Sequence, residues 1–448
     1  MTVTNWNSTA SCEPVADVTP ASLDELIAIV KDAYVKDGTR QPCPSPVRAV
    51  GSLHSLTPCF TSAGTIVHMK TAAFRAIGDP VDGRVTVGAG VTMFELQKAL
   101  KDRHGLQIAV TPEIGNATAG SVACCGTKDA SLKGGPGQIS STVVGVKMID
   151  ARGEKREVTG ATDPERMRAI RSSYGLLGLV YDVTFETCPL QIVRYESESL
   201  ELAGLTLERA LGSADGFLGF LLPYNDAFVV ERRTLSPGAS PGFVDTLRRK
   251  ARNHIWETGG FPFSEDPALF AEEFKHVFPF LSFRSHRVDV MIDFPQGGDH
   301  FFDFGFWAFP VSRWSQAIGD YVAFCREFRA RTGFRPALPT EVYFISRDDR
   351  ALLSFSPRED IFTLDMVHML HLAPGQEQDR ALWRQMNQEF NVKVALPHGA
   401  RPLLNQTKEL SRAVVETALG ADWATFKALR QQEDGQNRFL SPYFADLL

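Results

Sequence analysis

Hydrophobic and polar positions divide the chain into two parts of different texture. Residues 21–33 carry apolar side chains at helical spacing, with Ser22 at the N-cap position and Glu25 three residues later, so a helix is predicted there. Residues 46–51 read as a short strand running into a glycine turn, 65–69 as a second strand, and 84–90 as an alternating strand that ends in glycines. Residues 93–103 form an amphipathic helix. Residues 142–150, followed by the turn 151–154, predict a hairpin, and 179–187 a further strand. The first 190 residues thus read as strand-rich α+β, with glycine-rich loops between strands. From Cys188-Pro189-Leu190 onward phenylalanine becomes frequent. Residues 216–224 and 300–309 read as strands. In the second, Phe302, Phe304 and Phe306 share one face and Trp307 and Phe309 the other, so it is predicted to be buried on both sides, as core or as the wall of a pocket. Helical spacing returns at 314–331, 379–390 and 423–430.

A chain of 448 residues suggests two domains or three. Apolar residues make up 44% and charged residues 22%, the balance of a soluble globular protein. A net charge of −6 without a basic stripe argues against a nucleic-acid binder and against membrane-surface binding. The N-terminus lacks a basic segment followed by an apolar one, and no apolar run reaches membrane-spanning length, so a cytoplasmic location is expected. The seven cysteines are scattered, with no CxxC spacing, which argues against a metal site or a disulfide framework. The pair Cys124-Cys125 reads as two small buried residues.

Candidate chemistry begins where residues 48–55 deliver a strand into a turn of Gly51, Ser52, His54 and Ser55. Exposed backbone N–H groups and small hydroxyls in such a turn suit a pyrophosphate. Three further segments share its character. Residues 111–127 form a long small-residue loop in which Gly120, Ser121 and Gly126 permit close backbone approach. Residues 137–146 are a second loop entering a strand, and 171–180 a third. A lone histidine after a glycine turn is ordinarily structural; four such segments in this order are harder to explain as mere turns.

That order resembles the FAD-binding domain of the vanillyl-alcohol oxidase superfamily, and most closely its aldonolactone oxidase-like branch. The family's Gly-x-Gly-His-Ser looks like Gly51-Ser52-Leu53-His54-Ser55, with Leu53 in place of the usual glycine. The resemblance implies a two-subdomain PCMH-type FAD-binding domain over residues 1–190, and an α+β substrate domain with a large antiparallel sheet over 191–400. Residues 401–448 then return to the FAD domain. It implies FAD, bonded covalently through His54, with a raised reduction potential. The cofactor-binding residues it carries over are Val50, Gly51, Ser52, Leu53, His54 and Ser55, then Pro112, Gly115, Thr118, Gly120, Ser121, Cys124, Gly126 and Thr127. Gly137, Ile139, Ser140 and Val144 follow, and finally Leu179 and Val180.

The resemblance reaches the C-terminal segment, where Trp423, Phe426, Arg438 and Ser441-Pro442 are similar to the family's closing helix and its end. Residues 340–344 resemble the family's Glu-x-Arg strand, with Tyr343 at the arginine position. The family's Gly-Gly-Arg-Pro-His-Trp-x-Lys resembles residues 399–406, where its histidine and lysine become Leu403 and Gln406; a shifted register would instead use His398 and Arg401. The polar set that reads a sugar lactone is thus partly replaced. Candidate catalytic residues are Glu341, Tyr343, His398, Arg401 and Asn405, whereas His286, His300, His368 and His371 read as core. The implied reaction is hydride transfer from a CH–OH carbon to flavin N5 with O2 as acceptor, on a secondary metabolite or modified sugar rather than a simple aldonolactone. A dehydrogenase serving a quinone or protein, and a flavoprotein without turnover, are the alternatives. No Gly-x-Gly-x-x-Gly joins a strand to a helix, which argues against a nicotinamide enzyme.

Overall fold

The computed structural model describes residues 2–258, 266–293, 300–371 and 375–448. Helix Leu23–Val30 starts where expected, the Ser22 hydroxyl accepting the Glu25 N–H at 3.2 Å. Its buried stripe of Leu26, Ile29 and Val30 packs on Val47 and Val67. Those two belong to a parallel three-stranded sheet ordered Ala16–Val18, Thr65–His68, Val47–Val50. A second, antiparallel sheet follows, ordered Lys155–Thr159, Val143–Ile149, Leu179–Glu186, Arg84–Gly88. Helix Met93–His104 packs on it through Met93, Leu96 and Leu100, held at its start by a Thr92/Glu95 capping box.

The phenylalanine-rich part builds an eight-stranded antiparallel sheet, in the order Phe283–His286, Ile192–Glu201, Ala227–Leu235, Gly216–Leu222, Thr340–Ile345, Ile361–Thr363, Trp307–Pro310, Arg401–Pro402. Side-chain alternation gives this sheet two different faces. Phe217, Leu221, Val342 and Phe344 lie in the core with residues of helices Trp314–Thr332 and Glu377–Phe390. Leu218, Phe220, Tyr343 and Ile345 belong to the opposite face, which carries the site.

The strand expected over residues 300–309 is corrected: the chain forms two strands in different sheets. His300–Gly305 pairs with Met366–His371, while Trp307–Pro310 enters the large sheet. The break falls at Gly305, where any Cβ would collide with Asn387 Oδ1, and at Phe306, whose carbonyl accepts the Thr407 hydroxyl at 2.5 Å. His368 is buried and paired with Asp379 at 2.9 Å; the side chains of His300 and His371 lie outside the described residues. Helices Phe243–Thr258 and Pro267–Val277 had no counterpart in the sequence reading.

Helix Arg412–Glu433 kinks at Gly420 and buries Trp423 and Phe426 in the core of the second sheet. Beyond it, the Arg438 guanidinium donates to the carbonyls of Ile29, Val30 and Cys43, and Phe439 joins Leu26 and Ile29. The mixed α+β fold with a large antiparallel sheet agrees with the fold class read from the sequence. All seven cysteines are free, and among the described residues there is neither a metal-binding cluster nor a helix long and apolar enough to cross a membrane.

Candidate active site

Strand Val47–Val50 ends in the turn 51–55, and two residue choices shape that turn. Gly51 lies so close to Thr118 Oγ1 and Ser121 Oγ that a Cβ would collide with both. Leu53 has φ +57°, the left-handed conformation that a glycine would adopt at no cost. Among the described residues, the backbone N–H groups of Leu53, His54 and Ser55 donate to no acceptor. The Ser52 hydroxyl donates to the Asn116 carbonyl and ties the turn to the second loop. Neither His54 ring nitrogen has a hydrogen-bond partner, and the Trp6 ring lies 5.7 Å away. Burial pulls the His54 pKa down to about 4, against a smaller opposing pull from the Asn116 side chain, so the imidazole is neutral at pH 7.

A cavity of about 590 Å³ runs from this turn to the large sheet. Of the residues singled out in the sequence, Val50, Gly51, Ser52, Leu53, His54, Ser55, Pro112, Thr118, Gly120, Ser121, Cys124, Thr127, Leu179 and Val180 line it. Glu341 and Tyr343 line its far end, while Asn405, whose carbonyl accepts the Leu56 and Thr57 N–H groups, lines it beside the turn, with Gln406 next in the chain. The others lie behind its walls. Gly115 sits against the Phe94 ring, 2.7 Å from where a Cβ would be, and Gly126 against Leu403. The Gly137 N–H donates to Asp348 at 2.9 Å, Ile139 and Ser140 are buried in a short 3-10 turn, and Val144 lies within a strand. His398 and Arg401 are not brought to the cavity: His398 pairs with Asp320 and Arg401 with Asp422, each at 2.9 Å.

The far end carries a charge cluster that the sequence reading missed. Lys128 is ion-paired with Asp365, lies 4.0 Å from the Glu341 carboxylate, and stands 3.7 Å above the centre of the Tyr343 ring. All four side chains line the cavity. One ammonium faces two carboxylates in a largely dry site. Burial pushes the Glu341 pKa up to about 7 and that of Asp365 to about 6, with Lys128 pulling both the other way. Both carboxyl groups therefore titrate close to neutral pH. The available signal was slight: a lysine within the small-residue run 124–131, and an aspartate between Leu364 and Met366.

Behind this wall, Arg233 contacts Glu113 and Asp129 at 2.7 Å and Glu231 at 3.1 Å; Arg252 contacts Glu113 and Glu231, and Arg287 contacts Asp129. Burial alone would raise the Glu113 pKa, but Arg252 and Arg233 overcome it and hold it at about 2. Glu113 lines the cavity as a fixed anion.

Residues 14–159 match the family described as "FAD binding domain". The L-gulono-1,4-lactone dehydrogenase of Mycobacterium tuberculosis (strain CDC 1551 / Oshkosh) is 32% identical over 250 residues, covering 53% of this chain and 54% of that protein. Residues 14–159 thus carry an FAD-binding domain, and the chain is similar to an L-gulono-1,4-lactone dehydrogenase. The alignment thus spans about half the length of that relative. L-gulonolactone oxidase of Scyliorhinus torazame aligns over 98% of this chain and 96% of its own, at 22% identity. Among solved structures, a solvent-stable cholesterol oxidase superposes with TM-score 0.75 at 18% identity, covering 100% of this chain and 97% of that one. The cavity suits the flavin of an FAD-binding domain: unpartnered turn amides for a pyrophosphate, a glycine floor under Thr118 and Ser121, and a neutral imidazole.

Proposed function

We propose that this protein is a member of the vanillyl-alcohol oxidase superfamily, in its aldonolactone oxidase-like branch: an FAD-dependent oxidoreductase that removes hydride from a CH–OH carbon, with O2 as acceptor and FAD bonded covalently through His54. Residues 1–190 form its FAD-binding domain, 191–400 its substrate domain, and 401–448 a segment returning to the first. One observation carries the reading. A single cavity joins an unpartnered neutral histidine at one end to a buried carboxyl with a pKa near 7 at the other.

The turn 51–55 would hold the pyrophosphate, and the loops containing Thr118, Ser121, Leu179 and Val180 would flank the rest of the cofactor. Bound FAD supplies a two-electron acceptor for the hydride. Glu341 takes the substrate's hydroxyl proton, a role for which a pKa near the working pH is best suited. Lys128 favours the ionised forms of Glu341 and Asp365 before the transfer, and so keeps Glu341 able to accept the proton. Tyr343 and Asn405 position the substrate, Tyr343 from the same end and Asn405 from beside the turn 51–55. The substrate is not a simple aldonolactone, because Leu403 is buried and apolar and Gln406 is uncharged where the family has a histidine and a lysine.

The covalent link is tested by acid precipitation. Yellow colour is expected to stay in the wild-type pellet and to be released in His54→Ala; complete release from the wild type overturns it. Air-saturated turnover with near-stoichiometric hydrogen peroxide is the result expected of an oxidase. A dehydrogenase is the second reading, favoured by the name of the Mycobacterium tuberculosis relative; fast dye reduction with negligible peroxide would establish it instead.

A further inference from the structure

Beyond Glu341 the cavity meets a smaller void of about 40 Å³. The two share Trp256, Phe304 and Glu341 as walls. Strand pairing explains the arrangement. Phe220 lies directly opposite Glu341, and Leu218 opposite Tyr343, so all four project from one face of the large sheet. Phe220 is boxed by Trp256 at 5.0 Å and Phe274 at 5.2 Å, ring centre to ring centre. Val367 closes the far side. Apart from Glu341, every described residue around the void is apolar or aromatic.

We infer that this pouch is the subsite for a compact apolar group attached to the reacting carbon. The inference rests on the hydride-abstracting reading above and sharpens it: the substrate is an alcohol whose CH–OH carbon bears an aryl or branched alkyl group, not a polyol. An apolar void of this size stays dry and gains nothing from water, whereas a ring edge or a methyl pair fills it with contacts. A polyol would bring a hydroxyl to each carbon. The pouch offers those hydroxyls one carboxyl, already assigned to the reacting oxygen, and one buried N–H, that of Trp256, which has no acceptor. Every further hydroxyl would be buried without a partner, a cost that hydrogen-bond energetics makes decisive.

Two measurements on the flavin-loaded protein test this. Anaerobic flavin bleaching is followed with 1-phenylethanol and 3-methyl-2-butanol against glycerol and xylitol. The apolar alcohols are expected to give at least about tenfold higher second-order rates, the scale on which a pocket separates such groups; equal or faster bleaching by the polyols overturns the proposal. Acetophenone, which has no hydride to give, is titrated by thermal shift and by perturbation of the flavin absorption. Val367→Phe fills the pouch and is expected to weaken acetophenone binding at least about tenfold. Phe304→Ala widens it and is expected to shift preference from 1-phenylethanol to 1-(2-naphthyl)ethanol, which keeps the test open if the first variant does not fold. Unchanged acetophenone binding in folded Val367→Phe overturns the subsite. Protein that binds no flavin would sink the cofactor reading alone, because thermal shift with acetophenone reads the pouch without it.

Discussion

Glu341 is a carboxyl group in a largely desolvated place, and the consequence can be followed with pH. Its pKa rises from 4.5 to about 7, so the folded state holds the proton more tightly than the unfolded chain does. Stability tied to that proton is fully present below about pH 4.5 and is lost as the pH climbs to about 7. Glu341→Gln removes the titration. It is expected to raise the melting temperature at pH 8 by the equivalent of up to about 3 kcal/mol, with little change at pH 4. The same variant is expected to lower kcat about 10²–10⁴-fold and to flatten the rise of kcat/KM through pH 7. Thermal melts at the two pH values and a rate profile check both effects. A variant that keeps the wild-type pH profile would show that another group accepts the proton. Because Asp365 titrates nearby, the observed limb belongs to the pair.

At the scale of elements, the turn 51–55 makes the sharpest demand on backbone conformation. Leu53 sits at φ +57°, which costs a residue with a Cβ about 1 kcal/mol, and packs against the cluster of Val3, Val50 and Phe60. Leu53→Gly exchanges strain for lost packing, so its melting temperature is expected to stay within a few degrees of wild type with flavin retained. Leu53→Pro cannot reach that φ and is expected to abolish flavin binding, as read by the absorption spectrum of purified protein. This turn was legible in the sequence because its residues are contiguous. The same holds for the strands and helices with clean alternation or helical spacing, such as Leu23–Val30 and Leu179–Glu186. Helix Phe243–Thr258 was not legible because its pattern is inverted: Phe243, Val244 and Leu247 are exposed, while Arg252 and Asn253 are buried. Lys128 and Asp365 were hidden for a different reason. They stand 237 positions apart and acquire meaning only when a loop of the first part meets the sheet of the second. His398 and Arg401 were attractive in sequence for their chemistry alone, and each is answered by a nearby carboxylate instead.

For the molecule as a whole, the two parts are joined by a buried charge network centred on Arg233. It reaches Glu113 and Asp129 on the loops of the first part from a strand of the second. Three arginines balance three carboxylates, so removing one leaves an uncompensated buried charge. Arg233→Met is expected to destabilise the protein by about 3–5 kcal/mol, seen as a lower urea midpoint. Arg75→Met, which breaks a part-exposed pair with Glu95 in the first part alone, is expected to cost less than about 1 kcal/mol. Equal midpoints for the two variants would mean that the network does not join the parts. The anchoring of Arg438 and Phe439 among Ile29, Val30 and Cys43 has a consequence in time. A ribosome releases the segment that closes the first sheet only after some four hundred residues of other chain. Until then the emerging N-terminal part lacks one wall of its own core. Flavin retention is therefore expected to require this segment, and protein truncated before Arg438 is expected to be purified colourless.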